Sequence, residues 1–284
     1  MNLHLSGLAS TFVALVSISA ARADEPKAGE AITPTGEVIE LFNGKDLDGW
    51  YTWLKDTRYE DPRQVFTVQD GLLHVSGDGF GYVCTKQEYR DYHLVAEFKW
   101  GKRTWPPRKE NTMDSGILLH CVGPDGNSGA WMASIEFQLI EGGVGDFIVV
   151  SGTYADGSSV PVSLTCEVGQ DRDGEPVWHK GGARRTFNGG RINWFGRDPD
   201  WKDVLGFRGA RDVERPSGEW NRLEAIARGG RITNIVNGVV VNDGSDAFPA
   251  AGKILLQTEG AEIFFRKVEL HPLQEQRGAE KNRR

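Results

Sequence analysis

The segment Ile135-Glu136-Phe137-Gln138-Leu139-Ile140-Glu141-Gly142-Gly143 predicts a β-strand that has one apolar face and one polar face. Successive side chains of a strand point to opposite sides of the pleated backbone. The isoleucine, phenylalanine and leucine at the odd-numbered positions therefore share one side, and Glu136 and Gln138 share the other. A strand with this pattern packs its apolar side on a core and presents a carboxylate and an amide on the opposite surface.

The rest of the chain repeats the strand signal and shows no sustained helical periodicity. Short segments rich in β-branched and aromatic residues alternate with turns such as Asp70-Gly71 and Asn237-Gly238. Many short antiparallel strands without helices between them predict an all-β sandwich or jelly roll. The predicted strands are Val38–Phe42, Val65–Gln69, Leu72–Ser76, Tyr82–Thr85, His93–Lys99, Gly116–Cys121, Ser134–Ile140, Phe147–Val150, Val160–Glu167, Trp220–Arg228, Arg231–Val241, Lys253–Thr258 and Glu262–Leu270.

The N-terminal residues have the pattern of a signal peptide. An uncharged apolar run from Leu5 to Ala20 precedes Ala21-Arg22-Ala23, which resembles a signal-peptidase site. We expect cleavage after residue 23 and export to the periplasm or beyond. The run is shorter than the ~20 residues that a membrane-spanning helix needs, and no other stretch is a candidate. The formal net charge of −7 and the lack of a basic cluster argue against a nucleic-acid partner.

The cysteines and the remaining boundaries complete the predicted organisation. Cys84, Cys121 and Cys166 fit no zinc-binding spacing, and we expect buried free thiols on strands.

We predict a linker over residues 24–36, a jelly-roll domain over 37–272 and a charged tail over 273–284. Within the domain, residues 169–217 are rich in Gly, Arg, Asp and Trp and predict a long folded loop, hereafter the excursion. The oligomeric state is not encoded in any pattern we recognise.

Polar residues on the predicted strands define a candidate site. If their strands share one sheet, Glu136, Gln138 and His120 could converge on one face. Arg266 and Gln257 lie inside apolar strands, where a polar side chain needs a partner or solvent. The alternative for each residue taken singly is an ordinary place on a solvated sheet face. Further candidates for substrate binding are Glu141 and Asp146 at the end of the key strand, and His179 and Lys180 in the excursion.

An ordered set of motifs resembles the 3-keto-disaccharide hydrolase family, also described as 3-keto-glucoside 1,2-lyase and 3-keto-2-hydroxy-glucal hydratase. The likeness covers about Val38 to Leu270. Asp114 stands where the family usually has Asn, and the excursion is longer than in the shorter members. The motifs are Leu41-Phe42-Asn43-Gly44-Lys45-Asp46-Leu47-Asp48-Gly49-Trp50, Asp70-Gly71-Leu72-Leu73, Tyr89-Arg90-Asp91-Tyr92-His93-Leu94, Asp114-Ser115-Gly116-Ile117, Glu136-Phe137-Gln138-Leu139, Gly218-Glu219-Trp220-Asn221, Asn237-Gly238 and Phe265-Arg266-Lys267-Val268.

The resemblance implies a concanavalin A-like jelly roll, export and a 3-keto sugar substrate. The ketone of such a sugar acidifies the proton on carbon 2, so a base can form an enolate that expels the aglycone from carbon 1. Water then adds across the resulting glucal. This chemistry needs a base poised near neutral pH and a positive charge or hydrogen-bond donor at the enolate.

Specific residues are expected in these roles. Glu136 or His120 would be the base, and Gln138 would hold hydroxyl groups. Arg266, or Lys180 and His179, would stabilise the enolate. A divalent metal is the other option for that task, although no cofactor motif is evident.

Two other functions fit parts of the pattern. A retaining glucanase of the laminarinase kind would use carboxylates at positions i, i+2 and i+5 of one strand. Here those positions are Glu136, Gln138 and Glu141, so the central carboxylate is an amide. A noncatalytic, lectin-like carbohydrate-binding module would use the same polar face with tryptophan stacking and no proton transfer.

Overall fold

A computed structural model describes residues 30–274 of the chain. The predicted signal peptide, the first part of the predicted linker and all but the first residues of the predicted tail lie outside the described residues. No helix occurs within residues 30–274, and so none there has the length and hydropathy needed to cross a membrane.

The described chain is built from strands joined by turns and loops. As predicted, the turn at Asp70-Gly71 connects the strands Phe66–Gln69 and Leu72–Val75, and the turn at Asn237-Gly238 connects Arg231–Val236 and Val239–Phe248. The strands are β1 Ile39–Glu40, β2 Trp50–Leu54, β3 Phe66–Gln69, β4 Leu72–Val75, β5 Phe80–Thr85, β6 Tyr92–Thr104, β7 Asp114–Val122, β8 Ala133–Ile140, β9 Phe147–Val150, β10 Gly152–Thr153, β11 Ser159–Val160, β12 Ser163–Gln170, β13 Pro176–Trp178, β14 Ala183–Phe187, β15 Gly190–Ile192, β16 Asn221–Arg228, β17 Arg231–Val236, β18 Val239–Phe248, β19 Lys253–Glu259 and β20 Ala261–Pro272.

Two antiparallel sheets form a jelly-roll sandwich, which confirms the predicted fold class. The larger sheet has the order β13-β12-β18-β17-β16-β6-β20-β4-β3, with β1 on β20 and β14 on β12. The smaller sheet has the order β15-β9-β8-β7-β19-β5-β2, and β10 and β11 form a separate pair. The order interleaves strands that are distant in sequence, as expected where long connections cross between two packed sheets.

Alternating apolar side chains fill the space between the sheets. Phe137 of β8 and Ile117 of β7 point inward from the smaller sheet and meet Phe98 of β6 and Phe265 of β20 in one fully buried cluster. A second cluster, which includes Trp53 and other apolar side chains of the smaller sheet, lies apart from it. The smaller sheet therefore carries apolar groups on both faces, and its outer face is only partly polar.

The excursion contains more regular structure than its sequence predicts. Three short strands, β13 to β15, lie within residues 169–217, where we expected a loop. β13 and β14 both pair with β12 of the larger sheet, whereas β15 pairs with β9 at the edge of the smaller sheet. Because β9 pairs with β8, the excursion reaches the polar face that carries Glu136.

The cysteines lie in strands of both sheets. Cys84, Cys121 and Cys166 are buried free thiols in β5, β7 and β12. This confirms the expectation from their spacing.

Candidate functional site

A cavity of about 290 Å³ opens on the outer face of the smaller sheet. The neighbouring strands β8, β7 and β19 form its floor, and β15 contributes to its edge. Alternation along β8 places both polar side chains of the key strand in this cavity. The polar side chains of the strands that line it are Asp114, Glu136, Gln138, Arg191, Gln257 and Glu259.

Gly116 of β7 makes room at the centre of the floor. A Cβ atom at this position would lie 2.3 Å from Oε1 of Glu136 and 2.6 Å from Oε1 of Gln257. Any larger residue would push both side chains away. Both oxygen atoms are buried and have no hydrogen-bond partner among the described residues. Buried polar atoms are normally paired, so two unpaired acceptors over one glycine indicate a place for the hydroxyl groups of a ligand.

The environment of Glu136 makes its carboxylate a stronger base than that of an exposed glutamate. Its side chain is only 3% exposed. Burial, together with the negative charge of Asp114, raises the pKa of Glu136 to about 8, and the cation of Arg191 opposes the rise. A carboxyl group that titrates near neutral pH is suited to proton transfer.

Asp114 differs from Glu136 because both of its carboxylate oxygens contact other side chains. Its Oδ1 accepts a hydrogen bond of 2.6 Å from Nε2 of Gln138, and its Oδ2 lies 3.1 Å from Nη2 of Arg108. The same guanidinium lies 3.2 Å from Asp203 of the excursion. Burial raises the pKa of Asp114, and the nearby cation of Arg108 opposes the rise. We infer that Asp114 orients Gln138 and adds negative charge next to Glu136.

Arg191 brings a positive charge to the cavity and is held there by Asp146. Nη1 of Arg191 lies 2.7 Å from Oδ2 of Asp146, which also pairs with Arg197. The backbone N–H of Trp194 donates to Oδ1 of Asp146 at 2.7 Å. Asp146 is fully buried, so it anchors the excursion and acts on the cavity through Arg191. It does not line the cavity as a substrate-binding residue.

His120 does not join the polar face, contrary to the prediction. Its φ of 54° accompanies a register shift between β7 and β8, and this irregularity turns its side chain out of the expected alternation. The ring packs edge-on against Tyr92 of the larger sheet at 5.7 Å, and Nδ1 lies 3.0 Å from the carbonyl oxygen of Pro249. Burial lowers the pKa of His120 to about 4, so the ring is neutral at neutral pH.

Arg266 also lies away from the polar face on which it was predicted. It belongs to β20 of the larger sheet, where it pairs with Glu97 and lies 4.5 Å from the centre of the Trp220 ring. Glu97 points to the outer face of the larger sheet, because its neighbours Ala96 and Phe98 point into the core. The two sheets therefore separate Arg266 from Glu136.

Three other predicted substrate-binding residues lie outside the cavity. Oε2 of Glu141 accepts from the backbone N–H groups of Met113, next to β7, and of Gly206 in the excursion. The carbonyl oxygen of Glu141 accepts from Nε1 of Trp201 in the excursion. His179 and Lys180 line separate surface depressions of about 420 and 500 Å³. By contrast, the predicted residue Gln257 lines the cavity.

The residues of the cavity that were not predicted as site residues include Asp114, Trp131, Glu259 and Arg191. Glu259 follows Gln257 by two positions on β19, so the same alternation that exposes Gln257 could have revealed it. Arg191 lies in a Gly-rich part of the excursion, where no periodicity indicates a strand or a facing direction. Only the pairing of β15 with β9 brings it to the site.

An apolar wall completes the cavity. The half-buried ring of Trp131 lines it together with Ile148, and the ring centre lies 6.1 Å from that of Phe80. An aromatic face next to several carboxyl and amide groups is typical of sites that stack a sugar ring and bind its hydroxyls. In residues 30–274, no group of three or more His, Cys, Asp or Glu side chains is placed to hold a metal ion.

Comparison with known proteins gives one match to a family and several to solved structures. The family model of the 3-keto-alpha-glucoside-1,2-lyase-like domain matches residues 37–271, which confirms the resemblance seen in the motifs. None of the curated proteins matches the sequence.

Several solved structures are similar at low sequence identity. A protein from Parabacteroides distasonis that is named as a glycosyl hydrolase is 18% identical, with 84% of this chain and 94% of that chain covered and a TM-score of 0.46. A carbohydrate-binding module from Bacillus subtilis is 12% identical, with coverages of 78% and 96% and a TM-score of 0.41. The β-glucanase of Bacillus licheniformis is 11% identical, with coverages of 85% and 100% and a TM-score of 0.42.

Proposed function

The chain belongs to the family of 3-keto-alpha-glucoside-1,2-lyase-like domains, and from this premise we propose that it cleaves 3-keto-glycosides by elimination followed by hydration. The observation that carries the proposal is the buried Glu136 carboxyl, which has an unpaired oxygen and faces a cavity that also holds the cation of Arg191. A base and a positive charge are the two groups that elimination next to a ketone requires.

The proposed reaction begins at carbon 2 of the keto sugar. Glu136 removes the proton that the neighbouring ketone has acidified, and the electron pair moves to the ketone oxygen as an enolate. Arg191 stabilises this negative charge next to the buried carboxyl of Glu136, where electrostatic interactions are stronger than in bulk solvent. The enolate then expels the aglycone from carbon 1 and leaves a 2-hydroxy-3-keto-glucal. Addition of water to this product completes a net hydrolysis.

Other cavity residues bind and orient the sugar in this proposal. The unpaired Oε1 of Gln257 accepts a sugar hydroxyl, and the ring of Trp131 stacks on the apolar face of the sugar. The amide N–H group of Gln138 already donates to Asp114, so Gln138 supports the site through this hydrogen bond. Since the substrate is a small polar sugar and the N-terminal sequence resembles a signal peptide, we also propose that the protein acts after export.

The second candidate function is a noncatalytic carbohydrate-binding module. The combination of Trp131 with unpaired hydrogen-bonding groups favours it, because sugar binding alone requires nothing more. The glucanase alternative has no such support, since the carboxylate of Glu141 is bound to two backbone N–H groups and does not line the cavity.

Incubation of the mature protein with 3-keto-trehalose and with a 3-keto-β-glucoside tests the proposed function. We expect ultraviolet absorbance of the glucal to rise and then fall as hydration follows elimination. A parallel sample with a chelator tests whether a divalent metal takes part. Binding of either sugar without conversion, with and without added metal, would instead favour the carbohydrate-binding module.

The proposed base makes the reaction dependent on pH. Glu136 acts only when ionised, and its pKa is raised to about 8 by burial and by Asp114. We therefore expect kcat/KM to increase about tenfold for each pH unit below this value and to stop increasing near pH 8. Rates measured from pH 5 to 9 with one substrate check this. An activity that is already maximal at pH 5 would exclude Glu136 as the base.

A further inference from the structure

The proposed elimination leaves one proton unassigned. An alkoxide is a poor leaving group, so an acid next to the oxygen on carbon 1 would accelerate its departure. The donor must lie in the cavity, hold its proton at working pH and be free of strong hydrogen bonds to other residues. The carboxyl groups in the cavity are those of Asp114, Glu136 and Glu259.

The first two of these groups are not available as the acid. The oxygens of Asp114 are bound to Gln138 and Arg108, so its carboxylate is held in the form that accepts hydrogen bonds. Glu136 is already assigned to the proton on carbon 2. Glu259 has neither a hydrogen bond nor an ion pair of its side chain to any of residues 30–274, and it is partly exposed to the cavity.

The strand register places Glu259 across the cavity from Glu136. β19 pairs with β7 with Leu256 opposite Ile117, and continuing this register sets Glu259 level with Asp114. β7 lies between β8 and β19, and neighbouring strands are about 4.8 Å apart. Glu136 lies opposite Leu118 of β7, so the backbones of Glu136 and Glu259 are offset by about 10 Å across the sheet and by four residues, about 13 Å, along it. The two side chains therefore enter the cavity from diagonally opposite positions, with space for a sugar ring between them.

The charges around Glu259 favour its protonated form. Burial raises its pKa well above the usual range, and the negative charges of Asp114 and Glu136 act in the same direction. The cations of Arg108 and Arg191 oppose the rise without cancelling it. A carboxyl group that keeps its proton beside neighbouring carboxylates is suited to act as an acid.

We propose that Glu259 is the catalytic acid that protonates the leaving oxygen of the aglycone. This inference rests on the proposed function, since it assigns a role within the same elimination. When Glu136 takes the proton from carbon 2, the bond between carbon 1 and the aglycone oxygen breaks, and that oxygen takes the proton of Glu259. Glu136 then carries a proton and Glu259 is a carboxylate.

Hydration runs the same transfers in the opposite direction. The carboxylate of Glu259 accepts a proton from water as the resulting hydroxide bonds to carbon 1 of the glucal. Glu136 returns its proton to carbon 2. Both side chains regain their starting states, so one pair of carboxyl groups accounts for elimination and for hydration with no external acid or base.

Leaving-group dependence separates this role from a structural one. Glu259→Gln removes the acid and keeps the size of the side chain. We expect kcat/KM to fall about 10²- to 10⁴-fold for a methyl 3-keto-glucoside or for 3-keto-trehalose, whose leaving oxygens need a proton. With a nitrophenyl 3-keto-glucoside the loss should be small, because nitrophenolate leaves as a stable anion. The exposed Glu40→Gln provides a control for exchanging a carboxyl for an amide elsewhere.

Exchange of the proton on carbon 2 with heavy water gives a second readout. We expect Glu259→Gln to retain exchange while it loses expulsion of the poor leaving groups. Equal losses with both classes of substrate, or loss of exchange, would overturn the assignment. If wild type converts no 3-keto-glycoside at all, the proposed function fails and not merely the role of Glu259. Should Glu259→Gln not fold, Glu259→Asp keeps an acid and should show the same leaving-group dependence in weaker form.

Discussion

Glu136→Gln is expected to lower kcat/KM for every 3-keto-glycoside by at least about 10²- to 10⁴-fold, the usual contribution of a general base. The amide has the shape of the carboxyl group but cannot remove the proton on carbon 2. The loss should be independent of the leaving group, because proton removal precedes or accompanies cleavage with every aglycone. Exchange of the carbon 2 proton with heavy water should disappear together with turnover.

The same substitution should not destabilise the fold. Burial and Asp114 raise the pKa of Glu136 from 4.5 to about 8, so the folded state binds more protons than the unfolded state between these pH values. The carboxyl group therefore makes the wild type progressively less stable as the pH rises through this window. Glutamine does not titrate. We expect the Tm of Glu136→Gln to equal or exceed that of wild type at pH 7, with the difference growing towards pH 8.

Thermal unfolding and sugar binding together distinguish this result from simple damage. Calorimetric titration of the variant with a 3-keto-glucoside should give binding close to that of wild type, because Gln257 and Trp131 are unchanged. Turnover near the wild-type rate would remove Glu136 from the mechanism. A variant that binds, remains folded and does not turn over would support the base, and it would exclude a pure binding module if wild type is active.

Alternation along β8 and β19 places three of the predicted residues at the cavity. Glu136, Gln138 and Gln257 face the cavity because strands of an antiparallel sheet place every second side chain on the same face. The inward isoleucine, phenylalanine and leucine of β8 fix which face that is, since a shift by one residue would expose all of them. The fold and the floor of the cavity therefore follow from the alternation of apolar and polar residues along single strands.

The wrongly placed and missed residues lie where alternation along a single strand does not decide the position of a side chain. His120 would face outward if β7 were regular, but the irregularity at this residue reverses its side chain, and such irregularities leave no clear signal in a single sequence. Arg266 faces outward from its strand, but that strand, β20, belongs to the larger sheet, whereas the cavity lies on the smaller one. Alternation within a strand does not say which sheet the strand joins. Arg191 required the pairing of β15 with β9, a contact between residues distant in the chain.

Asp146→Ala is expected to reduce the free energy of unfolding by about 3–5 kcal/mol, the usual cost of removing one partner of a buried ion pair. Asp146 is fully buried, and the side chain of Arg197 next to it is only 4% exposed. Without the carboxylate, this guanidinium stays buried without a counter-charge, and the N–H group of Trp194 loses its acceptor. Urea unfolding of the variant and wild type at pH 7 measures the difference.

An exposed ion pair of the excursion provides the matched control. Asp200 pairs with Arg172, and both side chains are more than half exposed. Asp200→Ala removes the same charge but should cost no more than about 1 kcal/mol, because water screens the pair. If both variants lose equal stability, the buried anchor that we describe does not exist.

Asp146→Asn separates the charge of the anchor from its hydrogen bond to Trp194. The amide oxygen can still accept from the backbone N–H group, so the variant should be more stable than Asp146→Ala. It no longer neutralises the two guanidinium groups, and Arg191 is then free to leave its position over the cavity. We therefore expect a folded protein with reduced kcat, since the enolate would lose the positive charge that Asp146 holds in place.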